Sequence, residues 1–280
     1  MTEHTTPKVR PRKVVRARIE RVSTGVPGMD ELLGGGIPRG YAVLVLGPPG
    51  AGKTTFGLQF LHEGLGRGER CLLLTMEETR ESMLTTAGVY GWDFERYTKV
   101  EEAAREGLSY DEYLRRKQLF TLVMDPTDLK ATVHLLKKDV PAVLRYFGIS
   151  RVLVDPLSIF ELLFTDPGEK RQRLFELTDL IKRSGATAVY TAETRPDNPI
   201  ATRDYLAEYA VDGFISFRYF EPPRGDLVYA VRVIKMRRVG HSKALVRFDF
   251  GKGGLEVYPR QKLDLQDFAL TFQVRGAGGR

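Results

Sequence analysis

The chain has 280 residues, 42% hydrophobic and 28% charged, with a formal net charge of +7. That length holds one large α/β core, and the composition is that of a soluble globular protein whose longest apolar runs are strand-length, too short to cross a bilayer. A single cysteine, Cys71, excludes an internal disulfide and a cysteine-based metal site, and the lack of an apolar leader gives the expectation of a cytoplasmic protein without membrane attachment.

The charge is unevenly spread. Residues 1–21 hold seven Lys/Arg against Glu3 and Glu20, a local +5, and the rest of the chain carries only +2. Residues 1–12 therefore read as a flexible basic arm, suited to single-stranded nucleic acid or an acidic protein partner, or simply a solvated terminus. From Val15 the run Val-Arg-Ala-Arg-Ile-Glu alternates with period two, a strand with one wet face. Residues 23–40 are rich in glycine and read as a turn, a short helix over 28–33 and a second glycine turn.

Tyr41-Ala42-Val43-Leu44-Val45-Leu46 reads as a buried strand. It runs into Gly47-Pro48-Pro49-Gly50-Ala51-Gly52-Lys53-Thr54-Thr55, which satisfies G-x-x-x-x-G-K-[ST], the phosphate-binding loop. Glycines let backbone N–H groups turn inward around phosphates, and the helix that follows, Thr54 to Leu65, adds its positive end behind them. Lys53 then reaches the β- and γ-phosphates and the Thr54 hydroxyl ligates Mg²⁺. Bound ATP and Mg²⁺ are the expected cofactors.

Cys71 to Met76 is a second buried strand with the cysteine as a structural thiol, and Glu77-Glu78 closes it. A helix over 80–87 and the turn Gly91-Trp92-Asp93 come next, then a highly charged stretch, 94–117, that reads as an exposed helical insertion. Leu119 to Met124 is a third strand. Over 128–147, Leu129, Val133, Leu136 and Val140 share one face of a helix with a kink at Pro141. Arg151 to Asp155 is the fourth strand, 169–184 an amphipathic helix with Leu174, Leu177 and Ile181 inward, and Ala186 to Glu193 the fifth strand. Strand and helix alternate, so the sheet is mostly parallel and covered on both faces. After residue 211 the runs Phe214–Phe220, Leu227–Arg237 and Ala244–Phe250 lack intervening helices, which predicts an antiparallel extension of one sheet edge.

Two acidic features complete the chemistry. Asp155 ends an apolar strand at the spacing from the loop that a magnesium ligand needs, although an Asp-Pro pair also terminates strands without function. Glu77 and Glu78 end a neighbouring strand on the side where such sheets bind ligands, as a base for the water attacking the γ-phosphorus or as an acidic helix start.

With these residues in place the chain resembles the RecA/DnaB-type ATPases, and within them the KaiC-like branch, from about Ser23 to Pro259. The resemblance is carried by the run Gly25 to Gly40, the phosphate loop, Glu77-Glu78, Gly91-Trp92-Asp93, Asp155, and Lys235-Met236-Arg237 with His241 and Lys243. It implies a RecA-like domain over 13–260 with a tail at 261–280, and a ring, usually hexameric, with nucleotide between subunits. In that ring Lys235 and Arg237 reach the γ-phosphate of the next subunit, and His241 and Lys243 approach ribose and phosphate across the same interface. On residue type alone, Lys-Met-Arg-Arg is a basic exposed hairpin strand. Circadian members carry two such domains and, in the second, an adjacent Ser-Thr pair; the corresponding positions here, near Glu208-Tyr209, offer none.

Three functions compete: a ring ATPase acting on single-stranded nucleic acid, a nucleotide-gated assembly or signalling scaffold with little turnover, and a recombinase-related DNA-binding accessory protein. Lys53, Glu77, Glu78 and Asp155 together favour hydrolysis, and no aromatic-basic stacking stretch supports the third.

Overall fold

The computed structural model describes residues 19–98, 109, 112, 116–125, 127–158, 164, 166–195, 198, 201–202, 206–222 and 225–264. The basic arm, the alternating strand from Val15 and the tail beyond 264 lie outside them, as does most of the insertion expected over 94–117.

In chain order the elements are β1 (Arg21–Val22), α1 (Met29–Leu32), β2 (Ile37–Pro38), β3 (Ala42–Gly47), α2 (Lys53–Gly66), β4 (Cys71–Thr75), α3 (Arg80–Val89) and β5 (Leu119–Val123). Then come α4 (Leu129–His134), α5 (Val140–Phe147), β6 (Arg151–Asp155), α6 (Pro167–Arg183), β7 (Thr187–Glu193) and α7 (Ala207–Ala210). The chain closes with β8 (Gly213–Phe220), β9 (Val228–Met236), β10 (Val246–Gly251) and β11 (Gly254–Lys262).

Nine strands form one sheet in the order β11-β10-β9-β8-β3-β7-β6-β4-β5. From β8 to β5 the pairs are parallel, and β8-β9-β10-β11 are antiparallel. The RecA-like α/β fold with an antiparallel extension is therefore the one expected. Period-two alternation along the strands sorts their side chains into two cores. Val43, Val45, Leu73, Leu153 and Val189 pack with α2 through Phe56 and Phe60. Leu44, Leu46, Leu72, Val154 and Tyr190 pack with α5 and α6 through Leu144, Leu174, Leu177 and Ile181 on the other face.

The position of α2 decides where the site forms. It crosses directly over β6: a Cβ on Gly57 would lie 2.4 Å from Leu153 Cδ1, so a larger residue there would push the Leu153 side chain out of the core. The N-terminus of α2 is thereby brought over the carboxyl end of β6.

Two local features differ from the sequence expectation and a third adds to it. The helix over 128–147 is interrupted ahead of Pro141: a π-turn over Leu135–Asp139 separates α4 from α5, and Pro141 sits in the first turn of α5. Proline has no N–H to give and its ring collides with the carbonyl four residues back, and the wider π-turn makes room for it. The hairpin extension also gains a fourth member, β11, which Pro259 obscures in the sequence; as the outer strand of the sheet it tolerates proline, and its register with β10 slips between Val246 and Phe248. Finally, the glycine-rich 25–40 run braces the far edge. Val257 N–H donates to Pro27 O at 2.9 Å, and Gly28, at φ 77°, passes so near that a Cβ would lie 2.0 Å from Val257 O.

Candidate nucleotide site

β3 delivers Gly47 at its carboxyl end, and the chain then turns through Pro48, Pro49, Gly50 and Ala51 into α2. Gly50 and Gly52 have φ of 74° and 84°, the left-handed region. Gly52 is the N-cap of α2 and supplies no side-chain cap, so the N–H groups of the first helical turn are left for an anion. Lys53 donates to Pro48 O at 2.9 Å, folding its side chain back over the loop. Burial pulls the Lys53 pKa below its ordinary value, against the opposing pull of Glu193, Asp155 and Glu77. Those three carboxylates are thus the charges that sense the lysine.

Asp155 ends β6 and is 3% exposed. Thr54 Oγ1 donates toward its two carboxylate oxygens at 3.2 and 3.0 Å, and Thr191 from the adjacent β7 donates to Oδ1. Burial raises the Asp155 pKa, and the hydroxyls of Thr191 and Thr54 oppose that shift. The helix start and the strand end, far apart in sequence, thus meet as a hydroxyl–carboxylate pair able to hold a divalent cation. No cluster of three or more His, Cys, Asp or Glu suited to a metal occurs among the described residues. A small hard cation bound beside phosphates does not need one, because phosphate oxygens and water fill its remaining positions. The uncapped glycine loop, the lysine and this pair fit Mg·ATP.

Glu77 and Glu78 follow β4. Glu77 is exposed, makes no hydrogen bond among the described residues, and is close enough for its charge to act on Lys53. Glu78 accepts from Ser82 Oγ at 2.5 Å, and its carbonyl from Thr75 Oγ1 at 2.8 Å. The N-cap of α3 is neither glutamate but Thr79, whose side chain accepts from Ser82 N–H at 3.2 Å. Glu193, at the end of β7 and paired with Gly47, escaped the sequence reading. Its signal was the same as that of Asp155, an acidic residue ending an apolar strand.

The expected finger residues lie elsewhere. Met236 pairs with Gly213 on β8, and Gly213 with Val43 near the start of β3, whereas the loop leaves β3 at Gly47. Four residues of strand, about 13 Å, separate the two ends. Lys235 Nζ donates to Glu208 O at 2.8 Å and Val211 O at 2.9 Å. Arg237, 46% exposed, donates to Tyr209 O at 3.3 Å and lies 3.8 Å from Asp212. Lys243 is exposed. Both ring nitrogens of His241 are shielded from water without a hydrogen-bond partner among the described residues. Neither Lys235 nor Arg237 reaches the phosphate loop of its own chain.

The sequence model of the KaiC ATPase family matches residues 22–262, most of the chain. The chain belongs to the KaiC ATPase family. It is 33% identical over 257 residues to a UPF0273 protein of Methanopyrus kandleri, covering 87% of this chain and 94% of that one. A similar relation, 31% identity, holds with a UPF0273 protein of Thermotoga maritima. The circadian clock protein KaiC3 of Synechocystis is 28% identical over 91% of this chain, and the match spans 49% of that longer protein. Among solved structures, a KaiC-like protein of Pyrococcus horikoshii superposes with a TM-score of 0.68 at 28% identity, over 86% of this chain and all of the other. This KaiC-family chain is thus a P-loop ATPase domain by sequence and fold, and no helix among its described residues is long and apolar enough to cross a membrane.

Proposed function

We propose that this chain binds Mg·ATP and hydrolyses it, as a ring-forming oligomer whose sites are completed by the neighbouring subunit. The observation that carries the reading is the meeting of Lys53, Thr54 and Asp155 at one point, with Glu77, Glu78 and Glu193 around it. In this reading the loop amides and Lys53 hold the β- and γ-phosphates, and Thr54 and Asp155 hold the cation, which neutralises developing phosphate charge. Glu77, exposed and without a hydrogen bond among the described residues, orients and deprotonates the attacking water. Glu78, bound to Ser82, is the second carboxylate at that position.

Completion by a neighbour is supported by the separation of ends. Lys235 and Arg237 lie at the end of the sheet away from their own loop, yet Arg237 is exposed and both ring nitrogens of His241 lack a hydrogen-bond partner among the described residues. A second copy approaching with its loop at that end would employ both. The comparisons favour no particular nucleic-acid or protein partner for the basic arm.

Calorimetric titration with Mg·ATP tests the core of this. Wild-type protein binds, and Lys53→Ala binds at least roughly 10-fold more weakly, because a charge-assisted contact to phosphate is lost. Equal affinity in the two proteins would remove the loop from nucleotide binding.

A further inference from the structure

The cleft above the phosphate loop is lined by Gly50, Gly52, Lys53, Thr54, Thr55 and one side chain from elsewhere in the described residues, Phe250. Phe250 stands near the end of β10, on the hairpin side of the sheet, and remains 37% exposed although it is a large apolar ring. It touches the loop directly. A Cβ on Gly52 would fall 2.8 Å from Phe250 Cζ and 2.9 Å from Cε1, so the ring edge rests on the loop backbone.

The ring is held rather than loosely draped. Tyr229 meets it edge-to-face with centroids 5.0 Å apart, and Phe248 at 5.8 Å. Its cross-strand partner Leu255 is clamped to α2 from both sides: Gln59 Oε1 accepts from Leu255 N–H at 2.8 Å, and Gln59 Nε2 donates to Leu255 O at 3.2 Å. The helix that begins at the loop therefore fixes the strand that carries the ring. The phosphate loop thus has a braced, partly exposed aromatic face beside it, of the kind on which a flat apolar group stacks.

We propose that Phe250 is the stacking platform for the base of the bound nucleotide. The inference rests on the phosphate loop being the nucleotide site, and goes beyond it by naming what recognises the other end of the ligand. With the phosphates on the loop amides, the base meets Phe250, the one aromatic ring at the cleft wall among the described residues. Stacking scales with the flat area offered and ignores exocyclic groups, so Phe250 selects purine over pyrimidine nucleotides and does not separate ATP from GTP.

The test is titration of ATP, GTP, UTP and inorganic tripolyphosphate, each with Mg²⁺, into wild type, Phe250→Ala, Phe250→Leu and Phe250→Tyr, with folding checked by circular dichroism. Phe250→Ala is expected to weaken ATP and GTP alike by about 10-fold, as for loss of one base–aromatic stack, and UTP by less. Tripolyphosphate, which has no base, keeps its affinity, and Phe250→Tyr keeps wild-type behaviour. Phe250→Leu retains apolar bulk without the π-face and loses base affinity while holding the loop, so it serves if the alanine variant does not fold. Unchanged ATP affinity in a folded Phe250→Ala or Phe250→Leu protein overturns the proposal, and so does an equal loss for tripolyphosphate, which would make the ring a prop for the loop. Wild-type protein that binds none of the four ligands sinks the nucleotide-site reading itself, whereas wild-type binding with no effect at Phe250 sinks only the platform.

Discussion

At the scale of single residues, the site separates groups that hold from groups that are free to act. Asp155 is buried and takes hydroxyl donors from Thr54 and Thr191, so its carboxylate is oriented before any ligand arrives. Glu77 is exposed and makes no hydrogen bond among the described residues, as a base needs, and Glu78 is restrained by Ser82. From this contrast, Glu77→Gln should leave Mg·ATP affinity within about two-fold and slow steady-state phosphate release by roughly 10²-fold, the effect of removing a positioned base. Glu78→Gln should slow it less. Wild-type turnover in both single variants and in the double variant would reduce the pair to the approach of α3.

At the scale of elements, one buried charge joins four segments. Arg151 opens β6 at 1% exposure and pairs with Glu69 Oε2 at 2.7 Å. It donates to Ser23 O and Phe60 O, both at 2.8 Å, and its guanidinium stacks over the Phe60 ring at 4.6 Å. The turn before α1, the body of α2 and the entry to β4 are thus tied to one side chain. α2 passes it at Gly64, where a Cβ would lie 2.5 Å from Arg151 Cδ and Nε. Arg151→Met should lower stability by about 3 kcal/mol, since it strands the Glu69 carboxylate and two carbonyls together. Urea unfolding measures this directly, and Cys71 offers a second readout. Burial pushes that thiol far above its ordinary pKa, so it resists alkylation in the native protein and reacts on opening. An unchanged urea midpoint and an unchanged labelling rate in Arg151→Met would deny the tie.

Much of this was legible in the sequence. The phosphate loop, Asp155 and the buried parallel strands announce themselves because each is a contiguous run with a chemical reason for its composition. The rest depends on pairings between distant parts of the chain. Arg151 reads as a polar strand start until Glu69 and the Ser23 carbonyl are seen around it. Phe250 reads only as the last residue of a hairpin strand until Gly52 is found beneath its edge. β11 is masked by Pro259, acceptable because among the described residues β11 is the outer strand of the sheet. The π-turn before Pro141 is hidden because proline signals an interruption and not its form.

At the scale of the whole molecule, the sheet has two ends with different chemistry. Mixed variants test whether they meet between subunits. Arg237→Ala alone should lose on the order of 10³-fold in hydrolysis, as when an arginine finger is removed, with nucleotide affinity retained. Lys53→Ala alone should be inactive, and a mixture of the two should recover activity wherever an intact loop faces an intact Arg237. A monomer by light scattering at full activity with ATP would refute the arrangement.

The separation of those ends also constrains geometry. If the phosphate-binding amides at one pole take up the guanidinium of a neighbour's other pole, and the two poles face opposite ways, the contact is head-to-tail, and such contacts either close on themselves or propagate without limit. The small rotation from one copy to the next then decides between a ring and a fibre, and a substitution that changes this angle, remote from any ligand, would alter assembly while leaving each pole chemically intact.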